Sequence, residues 1–292
     1  MPVDEIIGLI GGSGIGDVFE QQLENIRKVK INTPFGLPSD KIMIGTFGGR
    51  QLAFINRHGE GHTLNPSIVP FAANIYALKK LGVTTVIGTT AVGSLTQRMK
   101  PKDLVIVDQV IDKTFKRQNT FFDSIAAVHC ELAKPYCDRL RKVISNVSGK
   151  IGSTVHKKGT YVCMEGPQFS TIAESLMHRK WGGDLIGMTA MPEAKLAREA
   201  QMCFALISMV SDYDCWRTPK KKAAAPELLK EIIGNLNQST ENTIKLIEAS
   251  LKSKEVFCDE TCMCRKSLGL AVWTKEEQIS KKHSEILKIL RS

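Results

Sequence analysis

Seven of the eight residues in Cys203-Phe-Ala-Leu-Ile-Ser-Met-Val210 are apolar. A strand with no polar face must be covered on both sides, which is the condition of an interior strand in a sheet packed between helices. The run ends at Ser211-Asp212-Tyr213-Asp214-Cys215-Trp216, where two carboxylates flank an aromatic ring. In an open α/β sheet the carboxyl ends of the strands face the crevice where ligands bind. This stretch alone supports two readings equally: acids aimed at a ligand, or acids that cap the next helix.

The rest of the chain supplies the partners such a strand needs. Apolar or β-branched runs predict strands at 6–10, 42–46, 51–56, 84–89, 103–110, 159–164 and 185–188, the second and third forming a hairpin around Gly48-Gly49. Helical patterns occupy 69–81, 130–147, 171–181, 192–201 and 226–251, and the capping box Thr274-Lys-Glu-Glu277 opens a last helix. No linker divides these elements. They predict one α/β domain over residues 1–292, a central mixed sheet flanked by helices, with a C-terminal helical segment from about 274.

Hydrophobic residues make up 42% and charged residues 24%, so a full core is available. No apolar run approaches the roughly 20 residues of a membrane helix. The opening Met-Pro-Val-Asp-Glu lacks the basic and apolar regions of a secretory signal, so the expected location is cytoplasmic, with no membrane partner. The net charge of +10 includes runs at Lys220–Lys222 and Lys281–Lys282. With only four Tyr and three Trp and no recognition motif, it reads as a solvated surface that steers anions, and no nucleic-acid partner is expected.

Of the eight cysteines, Cys130, Cys137, Cys163, Cys203 and Cys215 are scattered, whereas Cys258, Cys262 and Cys264 cluster. Cys-x3-Cys-x-Cys is not a standard zinc spacing and no fourth ligand is evident beside it, so free thiols are expected and no metal.

The residues at the strand ends sort by chemistry. The loop Gly11-Gly12-Ser13-Gly14 offers backbone N–H groups and the Ser13 hydroxyl, as suits an oxyanion. Thr90, the Ala91 backbone and Thr189 add to it, while Arg57 supplies a charged fork and His58 a further donor. There is no Gly-Lys-Ser/Thr, so this is not a P-loop. Asp212 and Asp214 remain for another part of the ligand, because carboxylates repel phosphate. Each piece alone is weak; their recurrence at successive strand ends raises the functional reading. A dinucleotide-binding loop is disfavoured, since Asp17 stands at the third glycine position and a polar, short segment comes next.

These residues resemble, in order from Gly8 to about Leu229, the trimeric nucleoside phosphorylases, and within them the methylthioadenosine phosphorylases. The resemblance is carried by Gly11–Gly14, Thr33-Pro-Phe-Gly-x-Pro-Ser39, Arg57-His-Gly59, Thr89-Thr-Ala-x-Gly-Ser94, Glu165-Gly-Pro-x-Phe-Ser170, Met188-Thr189, Pro192-Glu193 and Ser211–Trp216. It implies the nucleoside phosphorylase fold, and phosphorolysis of 5′-methylthioadenosine to adenine and 5-methylthioribose-1-phosphate without metal or organic cofactor. It implies that Ser13, Arg57, His58, Thr90, Ala91 and Thr189 hold phosphate and that Met188 lies under the ribose. Phe169 and Ser170 would contact base and sugar, and Asp212 and Asp214 would read the purine. His62, Ala225, Leu228 and Leu229 would surround the 5′ methylthio end. His129 would reach a neighbouring subunit's site in a homo-oligomer, a trimer or a dimer of trimers. Departures are Ser13 where Thr is frequent, Val92 where animal members have Cys, and a basic segment at 217–222; the cysteine cluster is similar to a disulfide-bearing archaeal branch. Two other readings stay open: a sibling phosphorylase for 6-oxopurine nucleosides, and a non-catalytic nucleotide-binding or thiol-based sensor.

Overall fold

The computed structural model describes residues 5–12, 14–217 and 225–292, without the side chains of Asp17, Ala225, Pro226 and Leu228. Ser13, the Lys220–Lys222 run, and the side chains of Ala225 and Leu228 therefore lie outside the described residues.

In chain order the elements are β1 (Ile7–Gly11), α1 (Gly16–Gln22), β2 (Glu24–Val29), β3 (Ile42–Phe47), β4 (Arg50–Asn56), α2 (Phe71–Lys80), β5 (Thr85–Ser94), β6 (Leu104–Ile106), β7 (Gln109–Lys113) and α3 (Asp138–Val147). They continue with β8 (Val155–His156), β9 (Thr160–Met164), α4 (Ile172–Lys180), β10 (Leu185–Gly187), α5 (Ala190–Glu199), β11 (Cys203–Tyr213), α6 (Ala225–Leu251) and α7 (Lys281–Arg291). The expected mixed sheet is present, and so is the hairpin, with β3 and β4 antiparallel.

The centre of the sheet is the parallel pair of β5 and β11, in register from Cys203 opposite Thr85 to Tyr213 opposite Ser94. Along its other edge β5 pairs first with β1, parallel, and then with β10, antiparallel. A closed circuit results. β11 pairs with β6, β6 runs on into β7, β7 pairs with β9, β9 with β10, and β10 returns to β5. The segment predicted as one strand at 103–110 is two strands because it changes partner: Val107 N–H donates to Leu206 O, and Asp108 N–H to Gly159 O.

β11 alternates between two cores. Phe204, Leu206 and Val210 face the layer built from α2, α5 and α7. Cys203, Ala205, Ile207 and Met209 face the layer built from α1, α3 and α6. A strand whose successive side chains enter opposite cores can spare no polar face.

Other boundaries differ from expectation for local reasons. β11 does not stop at Val210; it continues through Tyr213, with Ser211 an extra residue bulged out of the ladder. The helix predicted at 130–147 begins only at Asp138, because Pro135 supplies no N–H and Cys137 N–H is drawn to Phe204 O. The last helix begins after Ser280, whose hydroxyl accepts from His283 N–H, while the Thr274 hydroxyl accepts from Ala127 N–H instead of capping. β2 was not anticipated: five of its six residues are exposed, as on an edge strand paired only with β3. The cysteines are not scattered in space either. Cys137, Cys203, Cys258, Cys262 and Cys264 converge at the start of β11.

One buried ion pair ties the sheet's carboxyl ends together. Arg117 Nε lies 3.1 Å from Glu165 Oε1, and both side chains are buried. The same guanidinium donates to Glu165 O and Met191 O, each at 2.6 Å, and to Met188 O. Burial pushes the Glu165 carboxyl up, but N–H donation from Phe115 and Lys116 and the Arg117 charge outweigh it and hold it at about 2. The pair therefore fixes the β9–α4 loop against the β10–α5 loop. Removing one partner of such a pair strands a buried charge, at a cost of about 3–5 kcal/mol. Arg117→Met is expected to lose that much stability in urea unfolding monitored by fluorescence; a loss below about 1 kcal/mol, the range of an exposed pair, would contradict this role.

Candidate active site

A cavity of about 530 Å³ opens at the carboxyl ends of β1, β4, β5, β9, β10 and β11 and is roofed by α6. The structure brings Arg57, His58, His62, Thr90, Ala91, Phe169, Ser170, Met188, Thr189, Asp212 and Asp214 to its wall, as expected. Leu229 is not there. It is exposed, and the apolar wall comes from Ile232 and Leu236 further along the helix. Residues 228, 232 and 236 share one helical row, a spacing from which these two could have been found. His129 lies outside the cavity of its own chain, its ring edge-on to Trp273 at 4.8 Å.

At one end the walls are hydroxyls and N–H groups. The Thr90 and Thr189 hydroxyls lie 2.9 Å apart and both residues are buried. Thr189 precedes α5, whose first turn is broken at Met191, so its side-chain hydroxyl is what it offers an anion. Arg57 departs from its expected part. It is wholly buried, its Nε and Nη2 grip the Glu193 carboxylate at 2.5 and 2.9 Å, and Nη1 donates to Thr89 O at 3.0 Å. Among the described residues three of its five N–H groups are engaged, which leaves two for a ligand. Its fork is spent on Glu193, a residue the sequence marked as part of a motif without revealing its partner. An anion here meets a neutralised pair and a ring of dipoles. The first glycine loop lies directly on this pair: a Cβ at Gly12 would stand 2.9 Å from Arg57 Nη1 and 3.0 Å from Thr89 O.

His58 also differs from expectation. Burial, and next the Arg57 charge, lower its pKa to about 4, so it is neutral at pH 7. Its Nδ1 lies 2.8 Å from Leu64 O, an atom that can only accept. Nδ1 therefore carries the proton, and Nε2 is an acceptor rather than the donor anticipated. His62 stacks on it at 4.3 Å.

At the other end stand the two acids. They pack about Gly93, where a Cβ would meet Asp214 Cβ at 3.3 Å and Asp212 Oδ2 at 3.5 Å, so a side chain there would crowd both. Asp214 Oδ2 is buried with no hydrogen-bond partner among the described residues, a costly state that a ligand donor relieves. Asp214 N–H donates to Ser94 O, and Trp216 Nε1 donates to the same carbonyl, so the loop after β11 is pinned to β5. Neither acid caps a helix among the described residues.

Burial raises the Asp212 pKa, and the Asp214 charge adds to it, against the Ser211 hydroxyl. The bulge explains the geometry. Ser211 Oγ lies 3.2 Å from Val92 O and 2.5 Å from Asp212 Oδ1. A serine hydroxyl has one proton, and Val92 O has none. That single proton serves one acceptor at a time, Val92 O or Asp212 Oδ1. Asn235 of α6 donates to Ser211 O at 2.9 Å and braces the bulge, a contact no local pattern signals.

Between the two ends lie Met188 and the apolar walls. The site therefore has an anion end, an apolar middle and an acid end, a layout for a ligand with three chemically distinct parts.

Known proteins are similar to this chain in sequence and in fold. Residues 6–252 match the family model described as the phosphorylase superfamily. An S-methyl-5′-thioadenosine phosphorylase of Koribacter versatilis is 41% identical over 284 residues, spanning 97% of this chain and 94% of that protein. The crystal structure of a methylthioadenosine phosphorylase from an antarctic soil metagenomic library superposes with a TM-score of 0.88 at 41% identity, covering 98% of this chain and 99% of that one. Methylthioadenosine phosphorylase from Schistosoma mansoni in complex with adenine superposes at 0.76 with 33% identity, covering 85% and 90%. The chain belongs to the phosphorylase superfamily, in the branch of these methylthioadenosine phosphorylases.

Proposed function

We propose that this protein cleaves 5′-methylthioadenosine with phosphate, giving adenine and 5-methylthioribose-1-phosphate. The observation that carries the reading is the cavity's polarity: an anion end at Thr90 and Thr189, and an acid end at Asp212 and Asp214, separated by Met188. The relatives named above support the choice of nucleoside.

In the reaction the C1′–N9 bond breaks and its electron pair goes to the purine, while a phosphate oxygen bonds C1′. Positive charge develops on the sugar and negative charge on the base. Phosphate among the Thr90 and Thr189 hydroxyls and the two free Arg57 N–H groups stabilises the first. Protonated Asp212 donates to N7 and stabilises the second. As that proton leaves, the Ser211 hydroxyl can turn from Val92 O onto Oδ1 and hold the new carboxylate. His58, with Nε2 free to accept, takes up the proton that hydrogen phosphate surrenders on becoming an ester. Protons balance, and phosphate is the co-substrate; no organic cofactor enters. Asp214 Oδ2 accepts from the 6-amino group. Ile232 and Leu236 offer an apolar wall to the methylthio end.

The exposed patch of His129, Leu270 and Trp273 suits a second copy of the chain, and we assign a homotrimer on the resemblance. The eight unpaired cysteines suit a reducing cytoplasm.

A site built to accept from an amino group leaves its own acceptor facing an oxygen when the purine is 6-oxo, and such mismatches cost as much as about 10⁴-fold. The kcat/KM for methylthioadenosine is expected to exceed that for 5′-methylthioinosine by at least about 10²-fold, and Asp214→Asn to narrow the gap; equal rates would overturn the assignment of the acid end. Asp212→Asn is expected to lower kcat by about 10²–10⁴-fold and to abolish the alkaline limb of the pH–rate profile, because deprotonated Asp212 cannot donate. An unchanged rate would reduce Asp212 to a structural residue. Light scattering in line with size exclusion is expected to give a trimer's mass; a monomer would contradict the assigned assembly.

A further inference from the structure

Far from the cavity, five cysteines converge from three parts of the chain. Cys203 is the first residue of β11, Cys137 is the N-cap of α3, and Cys258, Cys262 and Cys264 belong to the segment after α6. Four of them, Cys137, Cys203, Cys262 and Cys264, place their sulfurs within 4.8 Å of one another. Cys203 and Cys137 are fully or nearly fully buried, Cys264 is buried, and Cys262 lies at the edge. The phosphorolysis chemistry uses none of them: Cys203 opens the strand whose far end carries Asp212, nine residues or about 30 Å away.

We propose that Cys137, Cys203, Cys262 and Cys264 form a structural tetrathiolate site for a thiophilic divalent cation, zinc. Four thiolates around a tetrahedral zinc ion at about 2.3 Å place their sulfurs about 3.8 Å apart. Here Cys262 lies 3.7 Å from Cys137 and 3.4 Å from Cys203. The arrangement is one of convergence on a point. Disulfides would take the same sulfurs two by two, each pair about 2.0 Å apart, and every cysteine in the cluster is free. The fifth thiol, Cys258, is 3.0 Å from Cys203 and stands beside the set.

The surroundings fit the charge. Four thiolates and a divalent ion sum to a net charge of about −2. Arg139 stands within electrostatic reach of Cys137 and Cys262, and Arg265 of Cys258. Arg139 is held by Asp259 and Thr261, and Arg265 by Gln201 O at 2.9 Å. Cys137 at the N-terminus of α3 has the helix dipole behind it, which favours the thiolate. The site explains why neither the spacing Cys-x3-Cys-x-Cys nor its neighbours look like a zinc motif: two ligands come from far upstream in sequence and meet the others only in the fold. Its role is to clip the segment after α6 to the base of the central sheet, in a stretch with little regular structure of its own, where metal binding adds directly to folding.

The test is metal analysis of the full chain purified under reductant without chelator. The expected result is about one zinc ion per chain by mass spectrometry, released as an organomercurial blocks the thiols and read with a zinc-binding dye. Cys264→Ser is expected to bring zinc near zero and to lower Tm by about 5 °C or more, while leaving methylthioadenosine turnover below Tm unchanged. Should that variant fail to fold, reconstitution of the wild type with Co²⁺ keeps the proposal falsifiable: thiolate-to-cobalt charge-transfer bands with tetrahedral d–d bands are expected. Protein free of zinc whose four thiols are found as disulfides, or all titrate as free thiols, would overturn it. So would iron with inorganic sulfide in place of zinc.

Discussion

The parallel pairing of β5 with β11 is the constraint on which the rest of the structure depends. Its ladder fixes both ends of the molecule's chemistry at once. At the far end it sets Asp212 opposite Gly93 and Tyr213 opposite Ser94, with Asp214 next beyond and its N–H on Ser94 O, and at the near end it sets Cys203 against Cys137 and the segment after α6. One extra residue, Ser211, is inserted into β11 near its end. A bulge of this kind bends a strand and re-aims the side chains beyond it. Here it turns Asp212 into the cavity while Ser211 supports it. The buried pair of Arg117 and Glu165 then holds the two loops that complete the wall. An open crevice is thereby made rigid from both sides.

The anion end works by dipoles more than by charge. A guanidinium spent on Glu193 lowers the cost of burying Arg57, and in the proposed reaction it leaves phosphate to hydroxyls, N–H groups and the remaining Arg57 donors. Neutral His58 results from the same positive neighbour and the same burial. A protein that held phosphate on a free buried cation would bind ground and transition states alike. Preorganised dipoles, with an acceptor for the phosphate proton, favour the point at which the sugar develops charge.

Much of this was legible in the sequence, and the remainder was hidden for definite causes. The strand at 203, the hairpin about Gly48, the helix at 71–80 and the strand-end residues all come from local periodicity and turn chemistry. The acids were found because a run of apolar residues ended in them. Three things were hidden because they depend on partners far away in the chain: Glu193 taking the Arg57 fork, Arg117 bridging Glu165 to the backbone at 188 and 191, and Cys137 and Cys203 joining the late cysteines. Two others were hidden because the local signal pointed elsewhere. Thr274-Lys-Glu-Glu277 has a capping-box spacing, yet its threonine serves Ala127; four of the six residues of β2 are polar, and it becomes a strand by lying along β3. Leu229 was placed in the cavity by resemblance, and the helix presents Ile232 and Leu236 in its stead.

The central claim is that one cavity holds a phosphate against the sugar while an acid takes charge from the purine. It is tested most directly by incubating the protein with methylthioadenosine in the presence and absence of phosphate, with adenine measured by absorbance and the sugar product by phosphorus NMR. The account predicts adenine release that requires phosphate and one new phosphate ester for each adenine formed. Adenine released at the same rate without phosphate, with free methylthioribose as the product, would contradict it.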